Sequence, residues 1–144
     1  MRILISACLL GLRCRYDGGE KGCEKALALA AQGHELVPVC PEQLGGLPTP
    51  RTPCERVAER VISKAGEDRT AAYALGAEQA LRLYETLKCD CAILKARSPM
   101  CGHGLIYDGT FSGTTVPGDG VLAELLTRKG VQVYTEDELD ILDL

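Results

Sequence analysis

Apolar residues arrive along this chain in two rhythms. Short unbroken bursts occur at Ile3-Leu4-Ile5, Leu36-Val37-Pro38-Val39 and Ala92-Ile93-Leu94, each followed by a loop rich in Gly or Pro. Runs this short, with no polar alternation, read as strands buried on both faces. Elsewhere the spacing is three and four. Tyr73, Gly76, Ala80, Leu83 and Leu87 mark an amphipathic helix from Asp68, an N-cap, to about Lys88. A second helix is expected from about Cys23 to Gln32, with Ala26, Leu27, Ala30 and Ala31 on one face and Gly33 as its stop. Asp119 is expected to cap a third, through Val121, Leu122, Leu125 and Leu126, which Gly130 ends before a strand at Val131 to Tyr134. Thr135 and Glu138 have the spacing of a capping box for a short last helix.

The stretches between are weaker signals. Residues 40 to 51 hold too many Pro and Gly for regular structure, and Tyr107 to Gly118 reads as a Gly- and Thr-rich loop. Arg56 to Ser63 is read as a short hairpin turning near Ala58-Glu59. Strands alternating with helices predict an α/β fold, a single three-layer α/β/α domain over residues 1 to 144 with a mainly parallel, Rossmann-like sheet. In such sheets ligands bind beyond the carboxyl ends of the strands.

Composition narrows the class. The net charge is −4, which argues against a nucleic-acid partner, because backbone binding needs clustered Lys and Arg. No apolar run approaches the ~18 residues that cross a bilayer, so no membrane is expected either. The first residues resemble a signal peptide only superficially: Arg13, Cys14, Arg15 and Tyr16 follow where a cleavage site would stand, so the segment is read as the first strand and its loop. The expected location is cytoplasmic, where the chain's eight cysteines act as thiols or metal ligands rather than disulfides.

Three of those cysteines share a topological position. Cys8, Cys40 and Cys101 each lie just past a strand end, on a loop, so neighbouring parallel strands bring them to one crevice. Three thiolates suit zinc closed by a fourth ligand such as His103, a zinc with water in the open position, or an iron–sulfur cluster. A four-iron cluster held by only three cysteines leaves one iron open to substrate. Glu42, two residues past Cys40, and Ser98, three before Cys101, are the acid–base and substrate-facing candidates. Their plainer roles are a solvated loop carboxylate and a turn-initiating Ser-Pro. Cys14, Cys23, Cys54, Cys89 and Cys91 are taken as structural or incidental, and Arg13, Arg15 and Arg51 as solvated loop arginines.

The segments Ser6-Ala7-Cys8-Leu9-Leu10-Gly11, Cys14-Arg15-Tyr16-Asp17-Gly18, Val39-Cys40-Pro41-Glu42, Gly45-Gly46-Leu47-Pro48-Thr49-Pro50-Arg51, Ser98-Pro99-Met100-Cys101-Gly102 and Tyr107-Asp108-Gly109-Thr110-Phe111-Ser112-Gly113 together resemble the bacterial thiouracil desulfurases. The resemblance implies a [4Fe-4S] cluster on Cys8, Cys40 and Cys101, with the fourth iron free for the sulfur of a small-molecule thiolated base. It implies Glu42 and Ser98 as the catalytic and substrate-binding pair, in a non-redox conversion of 2-thiouracil to uracil and hydrosulfide. Met100 departs from the family pattern, which has serine there, and is expected to alter the pocket wall. Cys14 is the nearest competitor for the cluster, because its loop also carries Cys8. The alternatives from other classes are a module that senses redox state or metal without turnover, and a three-cysteine zinc hydrolase.

Overall fold

The computed structural model describes residues 1–142. In chain order the elements are β1 (Arg2–Ser6), α1 (Glu24–Ala31), β2 (Glu35–Val39), α2 (Pro41–Leu44), β3 (Cys54–Val57), β4 (Arg60–Ser63), α3 (Thr70–Thr86), β5 (Cys91–Leu94), β6 (Leu105–Tyr107), β7 (Thr115–Pro117), α4 (Val121–Arg128) and β8 (Val133–Thr135). A 3-10 turn, Ala7–Leu10, follows β1, and another, Glu136–Glu138, follows β8. The main sheet has the order β2-β1-β5-β8, and every pair in it is parallel.

The apolar bursts of β1 and β5 owe their continuity to burial on both faces, whereas β2 is only partly buried. Ile3, Ile5, Cys91 and Ile93 pack towards Ala26 and Leu29 of α1. Leu4, Ala92, Leu94 and Val133 point the other way, into Tyr73, Ala77 and Ala80 of α3 and Leu122, Ala123 and Leu126 of α4. Complete burial of each large aliphatic side chain in β1 and β5 contributes about 1.5–3 kcal/mol. Pro38 sits in β2, an edge strand, where its missing N–H costs no ladder bond towards a further strand.

Three local features differ from the sequence expectation. The Pro-rich loop after β2 begins with a four-residue helix, α2, because Pro41 at its first position already has helical φ. The Gly- and Thr-rich stretch near residue 107 contains an antiparallel hairpin of three-residue strands, β6 and β7. Glu55 fixes that hairpin to β3, its carboxylate accepting from the N–H groups of Gly109 and Phe111 at 2.9 and 3.0 Å. Asp119 does not cap α4; Gly120 is the N-cap, and Asp119 instead accepts from the Gly104 N–H at 2.8 Å. The first N–H groups of α4 are already committed: Val121 donates to Pro99 O at 2.9 Å and Leu122 to Met100 O at 2.8 Å. A Cβ on Gly120 would lie 2.4 Å from the Met100 carbonyl carbon, so only glycine allows this approach.

The β3–β4 hairpin turns at Ala58-Glu59 as expected, and the capping box of Thr135 and Glu138 forms. Among the described residues, no helix is long and apolar enough to cross a membrane.

Candidate functional site

The carboxyl ends of β1, β2 and β5 open into a cavity of about 140 Å³. Cys8, Cys40, Cys101, Glu42 and Ser98 all line it, so the structure brings together every site residue expected from the sequence. Each is delivered by a different local device. Cys8 lies in the 3-10 turn that ends β1, and Cys40 is the N-cap residue of α2, which turns Glu42 back over the same opening. Cys101 sits in a turn pinned from two sides. Ser98 Oγ accepts from the N–H groups of Met100 and Cys101 at 3.1 and 2.8 Å, and the first turn of α4 binds the Pro99 and Met100 carbonyls.

Ser98 therefore does perform the turn-forming role of a Ser-Pro, and its oxygen also faces the cavity. With two N–H groups donating to that oxygen, its own O–H is left for the Cys101 sulfur or for a bound molecule. Met100 is fully buried in the core beneath α3 and α4 and does not line the cavity, so it is a packing residue and not part of the pocket wall.

Cys14 and Cys54 also line the cavity, which corrects their reading as incidental. Cys14 is buried and packs in one cluster with Cys8 and Cys40. The Cys40 thiol lies 3.6 Å from the Cys14 carbonyl and 3.5 Å from Glu42 Oε2. Cys54 donates its thiol to Thr52 O at 3.7 Å. All eight cysteines are free thiols. Among the described residues, no three His, Cys, Asp or Glu side chains close on a single-ion position; the thiols are distributed along the cavity wall.

This packing opposes ionisation of the bare thiols. At Cys14 the bond to Cys40 favours the thiolate, but the bond to Cys8 and burial outweigh it and push the pKa up to about 11. Cys40 is pushed up strongly by its bond to Cys14, then by burial and by Glu42. Burial, then Glu42, raises Cys101, against hydrogen bonds from Ser6 and Ser98 that favour its thiolate. Thiolates this close need a cationic partner to form together, and a metal centre is such a partner.

Three further residues complete the site, and sequence reasoning missed them. The Arg51 side chain is largely buried, not solvated: its Nη2 donates to Cys14 O at 3.0 Å and faces Glu42 Oε2 at 3.4 Å, while its backbone N–H donates to Tyr16 O at 2.7 Å. It ties the loop after β1 to the loop after α2 and holds the Glu42 carboxylate. Ser6, at the end of β1, accepts from Lys95 N at 2.9 Å and lines the cavity with Cys101. Lys95 lines the cavity and pairs with Glu136 at 2.7 Å, both largely buried. Arg51 follows a Pro-Thr-Pro run with no local signal of burial. Ser6 and Lys95, the residues on which β1 and β5 run out, were accessible from the strand-end argument. His103 lies outside the cavity, with Nδ1 3.1 Å from Asp119 Oδ1.

The family model of the 2-thiouracil desulfurases matches residues 3–138. The chain belongs to the 2-thiouracil desulfurase family. A relative of this desulfurase, the uncharacterized protein YbbK of Bacillus subtilis (strain 168), is 41% identical over 151 aligned residues, covering 97% of this chain and 99% of YbbK. Among solved structures, the [4Fe-4S]-dependent thiouracil desulfidase TudS superposes with a TM-score of 0.90 at 47% identity, over 96% of this chain and 93% of its own. The α/β architecture of the desulfurase, with its parallel sheet, is that of TudS.

Proposed function

We propose that this desulfurase removes sulfur hydrolytically from a thiolated pyrimidine, converting 2-thiouracil to uracil and hydrosulfide in a single cytoplasmic domain. The observation that carries the reading is the cavity at the sheet's carboxyl end, where thiols from three strand ends meet a largely buried carboxylate. Family membership and the likeness to a [4Fe-4S]-dependent thiouracil desulfidase support it.

The donor set fits the cluster. An iron–sulfur cluster takes cysteine thiolates, and here the thiols are free and line one cavity. Thiols distributed along a wall suit a polynuclear group better than the single zinc of a hydrolase. Cys8, Cys40 and Cys101 are the three holders, each fixed by a strand end or a pinned turn. When bound, a [4Fe-4S] cluster supplies a thiophilic Lewis acid for the sulfur of the substrate.

The chain's own groups supply the rest. Glu42 takes a proton from the attacking water and later returns one as the carbon–sulfur bond breaks, so that the thiocarbonyl and water become carbonyl and hydrogen sulfide with no net electron transfer. Arg51 keeps the Glu42 carboxylate turned into the cavity. The Ser98 hydroxyl orients the ring or the water, from an oxygen whose position two backbone N–H groups fix. Tyr73, Pro99 and Tyr107 form apolar parts of the wall and restrict bulk water.

Turnover in 18O-enriched water tests the hydrolytic route. The oxygen that replaces sulfur in uracil is expected to carry the solvent label. Unlabelled uracil from labelled water contradicts the proposal.

A further inference from the structure

We infer that Ser6 donates a hydrogen bond to a sulfur of the bound cluster or of its Cys101 ligand. The inference rests on the cluster reading above and deepens it. Its ground is a buried hydroxyl whose oxygen is engaged and whose proton is not. Ser6 is 3% exposed and lines the cavity. Its oxygen accepts the Lys95 N–H at 2.9 Å, and among the described residues no oxygen or nitrogen takes its O–H. A serine hydroxyl has one proton to give, and buried polar groups find partners as a rule. The cavity is the side on which this one lies open.

Position decides which occupant of the cavity takes the proton. β1 runs between β2 and β5, and Ser6 is its last residue. On one side Ser6 is in register with Val39, the residue before Cys40; on the other it is tied to Lys95, the first residue past β5. Cys8 follows two residues later. Side chains alternate along a strand, so Ser6 shares the face of Leu4, the one on which Cys101 and Tyr73 pack. Ser6 therefore stands among the strand ends that deliver the thiols, whereas Glu42 and Ser98 reach the cavity from α2 and from the turn after β5. A group held by Cys8, Cys40 and Cys101 lies against the Ser6 hydroxyl, and the substrate lies beyond it. The donated hydrogen bond draws electron density from sulfur, which strengthens iron as a Lewis acid and raises the reduction potential of the cluster. Ser6 keeps its proton throughout.

The test compares the wild-type enzyme with Ser6→Ala, and Ser6→Thr with Ser6→Val, a pair that fills the same volume with and without the hydroxyl. All are reconstituted anaerobically with iron and sulfide, both are quantified, and the midpoint potential is titrated with the EPR signal of the reduced cluster as readout. The potential is expected to shift to more negative values in Ser6→Ala relative to the wild type, and in Ser6→Val relative to Ser6→Thr. A role confined to accepting the Lys95 N–H lowers the melting temperature of Ser6→Ala and Ser6→Val but leaves the potential where it was, so equal potentials overturn the inference. Should these variants not hold a cluster, the crystal structure of the loaded wild-type enzyme decides. Ser6 Oγ within hydrogen-bonding distance of a cluster sulfur or the Cys101 sulfur supports the inference, and an Oγ out of reach of both overturns it. Wild-type protein that takes up neither iron nor sulfide overturns the cluster reading itself, whereas loaded clusters with equal potentials remove Ser6 alone.

Discussion

Ser98 binds two backbone N–H groups through one oxygen, and that sets what its removal should do. Ser98→Ala leaves the Met100 and Cys101 N–H groups without their acceptor, at a cost of about 1–3 kcal/mol. At about 2–4 °C per kcal/mol for a domain of this size, the melting temperature should fall by several degrees; an unchanged melting curve contradicts the geometry. Glu42 makes no comparable structural contribution. Glu42→Gln keeps the shape and the contact with Arg51 but removes the base, so turnover should fall by ~10²–10⁴ with iron and sulfide content unchanged. Loss of the cluster in that variant would instead make Glu42 a structural residue. At this scale the sequence was legible where chemistry follows a strand end: Cys8, Cys40, Glu42, Ser98 and Cys101 all face one cavity. It was not legible for Arg51 and Cys14, whose burial comes from each other's loops and not from any local pattern.

Among the elements, α2 and α3 matter most to the site, because α2 carries Glu42 and begins at Cys40. The two helices touch through glycines. A Cβ on Gly76 would lie 2.0 Å from Pro41 O, and one on Gly45 would lie 2.1 Å from Ala72 O. Mid-helix Gly76→Ala ordinarily gains about 0.5–1 kcal/mol from propensity. Here the contact is with backbone, which cannot step aside, so overpacking at about 1–3 kcal/mol outweighs that gain. The expected result is a lower denaturation midpoint together with reduced iron retention, as α2 is pushed off the cavity; a stabilised variant with full iron contradicts the close packing. The helix periodicity that predicts α3 says nothing of this contact, since Gly76 reads simply as one more position on the buried face. The four residues of α2 and the three-residue strands of the β6–β7 hairpin are too short to leave a period in the sequence.

For the whole molecule, the doubly buried strands made the α/β class readable, because continuous apolar bursts separated by helical spacing admit few other arrangements. Parallel pairing then places β1, β2 and β5 side by side with their carboxyl ends together. The chain follows the rule that ligands bind at that end, and its polar loops converge there: the loop after β1 carries Cys14, the loop after α2 carries Arg51, and the turn after β5 carries Ser98 and Cys101. Three strand ends deliver thiols to the cavity and the loops deliver Cys14 and Arg51, a division that explains why the strand ends were informative and the loop partners were not.

The most direct measurement is made on one anaerobic sample: iron and acid-labile sulfide per chain after reconstitution, then uracil and hydrosulfide released from 2-thiouracil. A full cluster with equal amounts of uracil and hydrosulfide, formed without added reductant or oxidant, is the predicted result. A full cluster that releases no hydrosulfide from 2-thiouracil or any other thiopyrimidine contradicts it.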